Sequence, residues 1–271
     1  MITDIEIRRV EDLSRVLMDQ EYNAEIDRLR SAFFFRGMPD ASFPLTTSIS
    51  RCCKEKQAVL EPSILRNFTK YASIEDPTLS DSVWKQMIVG QHHGLPTRLL
   101  DWTHSPLVAL HFADTETDLD MLPKRDAIVW RIDARDLNKN LPEKYQSALN
   151  AEKSYLFSVG LLQRVAGSIR QYDEDLNGQG FVMLEPPSID QRIINQYSFF
   201  SVIPNGMTDI EGFLDAHTTR TVRYIIGKEV RWALRDILDQ YNTSERVIYP
   251  GLDGVAKWVG RHYFVKEEKQ P

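Results

Sequence analysis

The sequence of 271 residues predicts an α+β fold. Helical patterns dominate its first part, and the segments with strand character are scattered and do not alternate regularly with helices, as they would in a doubly wound parallel sheet. No internal repeat and no low-complexity linker divides the chain. We therefore predict a single domain over residues 1–271, with a helical N-terminal part at about residues 1–30.

The elements of the first half follow from apolar periodicity and from breaker residues. Leu13, Val16 and Leu17 recur at helical spacing, and Phe33-Phe34-Phe35 is an apolar run that stops at a Gly-Met-Pro turn. In chain order we predict a helix over 11–23, a strand over 32–36, helices over 61–71 and 82–90, a strand ending at 99–100 and a helix from 106.

The second half combines short β-branched runs with further helical stretches. The long helical stretch is expected to be interrupted near Gly160, and Asp253 is expected to cap the last helix. In chain order we predict a strand over 126–132, a helical stretch over 145–165, a strand over 181–184, a helix over 189–195, strands over 199–203 and 222–226, and helices over 229–241 and 254–262.

Composition narrows the class of protein. The apolar fraction of 42% and the charged fraction of 27% are ordinary for a soluble globular protein. The net charge of −6 argues against a generally basic nucleic-acid-binding surface, although a local basic groove is compatible with it. No secretory leader and no bilayer-spanning run is found, and the two cysteines are adjacent. We expect a cytoplasmic protein that does not enter the membrane.

Polar side chains are unusually dense in residues 91–113, where a strand should end and a helix should begin. The run QHHGLPTRLLDWT occupies residues 91–103, and Thr103 or Ser105 can cap the helix that starts at Pro106. Such a junction exposes side chains and free backbone N–H groups together, which suits an anionic ligand. The alternative is a buried structural junction in which Arg98 and Asp101 pair with each other.

Four ordered blocks carry a resemblance to a known family. They are Phe35-Arg36-Gly37, the run at 91–103, QYSFFSV at 196–202 and YPGLDGVA at 249–256. Together they resemble the FRG domain family, named after its Phe-Arg-Gly motif. The resemblance runs from about residue 33 to about residue 256, and the run at 91–103 is its most specific part.

The order of these blocks is also similar to that of the ADP-ribosyltransferases. This resemblance implies a split sheet, with NAD bound in a cleft between two small sheets. It further implies that Arg36 binds a phosphate or ribose of NAD, that Thr103 with Ser105 braces the nicotinamide pocket, and that the helix over 106–113 lies behind it.

The third block departs from the pattern of those enzymes. Gln196 stands where some of them have a glutamate that holds the ribose and favours a cationic transition state. A glutamine can hydrogen-bond a ribose hydroxyl, but it cannot supply negative charge. Another carboxylate, such as Asp101 or Glu185, would then take the electrostatic task. Some relatives, including the tRNA 2′-phosphotransferases, use NAD without that glutamate.

The candidate site residues follow from these motifs. Gly37 would let a ligand approach the backbone, while one of His92 and His93 would orient a ligand. The histidine spacings match no metal signature, so no metal site is expected. The candidate catalytic residues are Arg36, Thr103 and Gln196, and the candidate NAD-binding residues are Arg36, Gly37, His92, Arg98, Thr103 and Ser105.

Asp101 is expected to be a buried or half-buried carboxylate that braces the loop carrying Thr103 and Ser105. Its expected partners are Arg98, the Thr103 hydroxyl and N–H groups at the helix start, because an unpaired buried charge is costly. A direct catalytic role is the alternative.

These observations favour an ADP-ribosyltransferase-like toxin or defence effector. It would cleave NAD and transfer ADP-ribose to an intracellular macromolecule, whether RNA, DNA or protein, and an antitoxin could restrain it. Two alternatives remain: a non-catalytic nucleotide or nucleic-acid binding module, and an NAD-independent enzyme that acts on RNA through His92, His93 and Arg98. P-loop, dinucleotide-binding and nucleophile-elbow motifs do not occur, which disfavours kinases, dehydrogenases and hydrolases.

Overall fold

Residues 1–266 are described by the computed structural model. Within them the strands are β1 (Thr3–Ile7), β2 (Tyr22–Asn23), β3 (Arg28–Leu29), β4 (Phe33–Met38), β5 (Leu99–Thr103), β6 (Ala127–Asp133), β7 (Phe157–Ser158), β8 (Val182–Glu185), β9 (Ser198–Val202) and β10 (Val222–Ile226). The α-helices are α1 (Ser14–Leu17), α2 (Ser48–Cys53), α3 (Gln57–Ala72), α4 (Val83–His92), α5 (Pro106–Ala113), α6 (Ala134–Asn138), α7 (Glu143–Ala151), α8 (Val159–Val165), α9 (Ile169–Leu176), α10 (Gln191–Gln196), α11 (Ile210–His217), α12 (Arg231–Gln240), α13 (Glu245–Ile248) and α14 (Leu252–His262).

Eight of the strands form one sheet in the order β1-β10-β6-β4-β5-β9-β8-β7, and β2 with β3 makes a separate hairpin. The outermost pairs, β1 with β10 and β7 with β8, are parallel, and the inner pairs are antiparallel. At the centre, β4 and β5 share a single residue pair, Phe35 with Thr103. The eight-stranded sheet is continuous through this pair, and we call β1-β10-β6-β4 its first half-sheet and β5-β9-β8-β7 its second half-sheet.

Helix α5 packs directly on β4, and a glycine makes this close approach possible. A Cβ on Gly37 would lie 1.8 Å from the carbonyl oxygen of Ala109 and 2.5 Å from the amide nitrogen of Ala113. Phe35, on the same face of β4, is buried against Ala109. The missing side chain of Gly37 therefore makes room for α5.

The mixed α+β class is confirmed, but the helical N-terminal part is wrong. Residues 3–7 form a strand because they pair in parallel with β10, and residues 22–29 contain the β2–β3 hairpin. Only a 3-10 turn at Val10–Leu13 and the short α1 are helical there. The stretch predicted over 145–165 is interrupted near Gly160, as expected: β7 breaks it two residues earlier, and Gly160 itself lies inside α8. No helix in residues 1–266 is both long and apolar enough to span a membrane.

Candidate functional site

A cavity of about 250 Å³ lies at the junction of β4 and β5, which share a single residue pair. Residues from both half-sheets and from helices α4, α5 and α10 surround it. Its lining consists of Phe35, Arg36, Gly37, Gln91, Asp101, Trp102, Thr103, Phe112, Arg192, Gln196 and Ser198. Arg36, Thr103, Ser105 and Gln196 were predicted to converge on one pocket, and three of the four line this cavity although they are widely separated in sequence; Ser105 does not.

Arg36 bridges the gap between the half-sheets. It follows Phe35, which forms the β4–β5 residue pair with Thr103. Its Nη1 donates to the Asp101 carbonyl oxygen at 2.8 Å. The same nitrogen lies 3.7 Å from the Asp101 carboxylate, while the buried Nε has no hydrogen-bond partner among the described residues. Burial lowers the pKa of the guanidinium, and the nearby Asp101 carboxylate opposes this shift. Arg36 thus lines the cavity as a cation, and its buried Nε is left without a partner.

Asp101 presents its carboxylate to the cavity. The Gln91 amide donates to both carboxylate oxygens, at 3.1 and 3.2 Å, and Gln91 in turn accepts from the Thr97 hydroxyl. With 57% of its side chain exposed, Asp101 is not the buried carboxylate that was expected. The expected partners Arg98 and the Thr103 hydroxyl are also wrong, because Gln91 and Arg36 hold Asp101 instead.

Thr103 and Ser105 have different roles at the start of α5. The Thr103 hydroxyl accepts from the Ser105 N–H at 3.0 Å and lies at the cavity wall. The Ser105 hydroxyl accepts from the Val108 N–H at 3.3 Å, so it is the N-cap of α5. Ser105 does not line the cavity. It is linked to the cavity only by its backbone N–H, which donates to the hydroxyl of the lining residue Thr103.

Helix α10 and strand β9 close the other side of the cavity. Arg192 and Gln196 are one helical turn apart, so both face inward. The Gln196 amide donates to the Ile248 carbonyl at 3.4 Å, which ties α10 to α13. Tyr197 then adopts a left-handed conformation with φ of 49°, ends the helix and turns the chain into β9. This turn places Ser198 beside its pairing partner Thr103 on the adjacent strand β5.

Arg98 lies away from the cavity, which corrects its assignment to NAD binding. Its side chain is buried between Glu61 on α3 and Asp173 on α9, with Nε 2.8 Å from Glu61 and Nη1 2.5 Å from Asp173. Burial alone would lower the pKa of Arg98, but the hydrogen bonds to the two carboxylates outweigh it and raise the pKa. These carboxylates occupy the guanidinium, so it has no free edge for a phosphate.

His92 also lies outside the cavity lining. Its Nε2 pairs with Asp190, the N-cap of α10, beside a separate cavity of about 590 Å³ that includes His93, Phe68 and Tyr71. Burial lowers the pKa of His92, although Asp190 opposes the shift. The cluster of His92, His93 and Arg98 that an RNA-acting enzyme would need is not assembled.

Three polar residues of the cavity were not among the sequence candidates. Gln91 opens the polar run, Arg192 lies four residues before Gln196 on a predicted helix, and Ser198 follows Gln196 at the start of a predicted strand. The i, i+4 spacing of Arg192 and Gln196 was a readable signal, because it puts both on one helix face. Ser198 could not be found in this way, since its place depends on the register of β9 with β5.

Comparison with known proteins supports the family resemblance. Residues 31–120 match the FRG domain. The matched segment contains Arg36, Gln91, Asp101 and Thr103 of the cavity, whereas Gln196 and the block at 249–256 lie beyond it. No curated protein and no solved structure matches the chain.

Proposed function

We propose that this chain, in which residues 31–120 match the FRG domain, binds NAD in the cavity between its half-sheets and transfers ADP-ribose to a macromolecule. The observation that carries the proposal is the meeting of Arg36, Thr103 and Gln196 in one cavity beside a carboxylate, Asp101. These three residues match the positions that the resemblance to ADP-ribosyltransferases selects. The opening between two half-sheets is also where that resemblance expects NAD to lie.

The residues present fit the nicotinamide and ribose half of NAD. A cavity of about 250 Å³ is smaller than the roughly 300–1,000 Å³ of sites that enclose a whole drug-sized ligand. Phe35 and Phe112 offer aromatic walls, Ser198 and Gln196 offer polar groups for hydroxyls, and Arg36 offers a positive charge. The rest of the dinucleotide would extend towards the open side of the cavity.

Bound NAD supplies a glycosidic bond whose cleavage releases nicotinamide and leaves positive charge on the ribose. Arg36 binds a phosphate or the ribose through charge-assisted hydrogen bonds. Asp101 provides the negative charge that Gln196 lacks, and Gln91 fixes this carboxylate in place. Gln196 holds a ribose hydroxyl, so binding and charge stabilisation are divided between two residues.

The cellular role follows from this chemistry. A transferase that modifies an intracellular macromolecule would act as a toxin or a defence effector, and an antitoxin would be its natural partner. One observation favours a second candidate, a module that binds a nucleotide without turning it over: Gln196 replaces the expected glutamate, and Asp101 is largely exposed. A binding module would need Arg36 but would have no use for the Asp101 charge.

A single experiment separates these functions. The purified protein is incubated with NAD labelled in its adenylate phosphate and with a cell extract, and released nicotinamide is measured by chromatography. The labelled product is then digested separately with protease and with nuclease. Nicotinamide release together with label in a macromolecule supports the transferase. NAD binding without release supports the binding module, and absence of NAD binding contradicts both.

A further inference from the structure

The surface next to the cavity carries cations stacked on aromatic rings. Arg192 lines the cavity and lies 5.4 Å from the centre of the Tyr249 ring, and Lys257 lies 5.1 Å from the same ring. Arg246 lies 4.5 Å from the centre of the Trp258 ring. We call these five residues, from α10, α13, α14 and the turn between the last two, the cation–aromatic surface.

The three cations of this surface are available to a ligand. Within residues 1–266, no carboxylate lies within ion-pairing distance of Arg192, Arg246 or Lys257. Asp253 is one helical turn before Lys257 but forms no ion pair there. The carboxylates beneath the surface are occupied, because Arg261 binds both Glu245 and Asp239 at 2.6 Å.

The surface is fixed to the cavity. The Asn195 amide donates to the Val247 carbonyl at 2.6 Å, next to the bond from Gln196 to Ile248, so α10 and α13 are tied together. Helix α14 packs closely against the Tyr249 segment, since a Cβ on Gly254 would lie 1.8 Å from the Tyr249 carbonyl oxygen. A ligand bound along this surface would therefore reach the cavity at a defined place.

We infer that this surface binds a single-stranded nucleic acid, which would be the acceptor in the proposed transfer. Unpaired cations bind backbone phosphates, and arginine guanidiniums stacked on the half-buried Tyr249 and Trp258 rings can stack in turn on bases that are not already paired. An acidic protein would engage the cations but would have no use for the ring faces. The assignment deepens the proposed function, because Arg192 belongs both to this surface and to the cavity.

Binding is tested without NAD, by fluorescence anisotropy of labelled mixed-sequence single-stranded RNA and DNA. Arg246→Glu and Lys257→Glu should each weaken binding at least about tenfold at low salt, and each should lower the salt slope by about 0.7. Trp258→Leu keeps an apolar side chain but removes the stacking face, and it should weaken binding at least about fivefold.

Arg135→Glu is the matched control, because Arg135 also lies over a tyrosine ring, 5.3 Å from the centre of Tyr155, but does not line the cavity. It should leave the affinity within about twofold of wild type. Thermal unfolding of every variant checks that the surface changes leave the fold intact.

Three results would overturn the inference: no binding of either single strand, tighter binding of a duplex than of its single strands, or equal binding of polyglutamate with no effect of Trp258→Leu. The last result would identify an acidic protein as the partner. Nucleic-acid binding by a protein that does not cleave NAD would refute the proposed transferase and leave the surface assignment standing. Cleavage of NAD without nucleic-acid binding would refute the surface assignment and leave the proposed transferase standing.

Discussion

Arg36 and Asp101 meet across the gap between the two half-sheets, with Nη1 of Arg36 2.8 Å from the Asp101 carbonyl oxygen and 3.7 Å from its Oδ2. The hydrogen bond satisfies a strand carbonyl at the point where β4 and β5 separate. It also holds a cation and a carboxylate side by side at one cavity. The junction of β4 and β5 thus lies at the cavity and carries both of these charges.

Removing the Arg36 guanidinium should weaken NAD binding and leave the fold largely intact. Arg36→Ala loses a charge-assisted contact, which should cost about 1.5–3 kcal/mol of binding free energy. Calorimetric titration with NAD measures the loss, and thermal unfolding measures stability. Arg51→Ala is the control, because Arg51 donates to Thr46 and does not line the cavity. Equal weakening by both changes would show a general effect of positive charge and not a contact by Arg36.

Asp101 should matter for turnover and not for stability. Because its carboxylate is exposed and held by Gln91, Asp101→Asn should change the free energy of unfolding by less than about 0.5 kcal/mol. Nicotinamide release should fall by about 10²–10³, the usual loss when charge stabilisation is removed. Turnover and urea unfolding are measured on the same samples, with Asp101→Ala alongside. If both variants instead lost stability and activity in proportion, and Asp101→Ala lost more of each, Asp101 would be a residue that braces the loop carrying Thr103 and Ser105.

Gln196→Glu offers a second test of this division of roles. A glutamate at position 196 would supply the charge that Asp101→Asn removes, so the double variant should recover part of the lost nicotinamide release. No recovery in a protein that still binds NAD would mean that position 196 does not face the charge developing on the ribose.

Gly37→Ala should destabilise the protein because α5 leaves no room for a methyl group. The added Cβ would overlap the Ala109 carbonyl oxygen, and backbone cannot move aside as a flexible side chain can. We expect a loss of at least about 1–3 kcal/mol in the free energy of unfolding, measured with urea. Gly160→Ala is the control: nothing lies within 4 Å of its added Cβ, and alanine favours helix α8. If Gly37→Ala left the free energy of unfolding unchanged, the close packing of α5 on β4 would be refuted.

Arg98 should act on folding and not on ligand binding. Arg98→Met leaves the Glu61 carboxylate buried without its partner, which should cost about 3–5 kcal/mol of stability. Affinity for NAD, titrated at a temperature where the variant stays folded, should not change. Arg170→Met removes an exposed arginine from its pair with Glu174, and its unfolding midpoint should stay close to wild type. Weaker NAD binding by folded Arg98→Met would restore its assignment to the site.

Glu245 should make stability depend on acid pH. Burial would raise its pKa, but hydrogen bonds from Arg261 and the charge of Arg235 outweigh burial and lower the pKa from 4.5 to about 2. The folded-state pKa lies below the unfolded value, so the carboxylate stabilises the fold above about pH 4.5. This stabilisation is lost as the pH falls from about 4.5 to about 2.

Glu245→Gln should therefore be less stable than wild type at pH 7, and the difference should shrink as the pH falls through this window. Urea unfolding at pH 7, 4.5 and 3 measures it. Glu174→Gln, in the exposed pair with Arg170, should track wild type throughout. A constant difference between Glu245→Gln and wild type would show that the carboxyl is not charged in the folded protein.

The sequence by itself determined the local elements and the positions that meet at the cavity. Apolar runs and capping residues placed β4, α5 and β10, because these signals act between neighbours in the chain. Motif order selected Arg36, Thr103 and Gln196, each at an end of a predicted element.

Only the tertiary structure decided which way the polar side chains point and what they contact. Arg98 and Asp101 are three residues apart in an extended segment, so their side chains leave it on opposite sides, Arg98 to buried carboxylates and Asp101 to the cavity. The strand at 3–7 was missed because only its pairing with β10, more than two hundred residues away, makes it a strand. Likewise the opening depends on how far β4 and β5 pair, and register between distant strands is set by packing on both faces of the sheet and not by either strand alone.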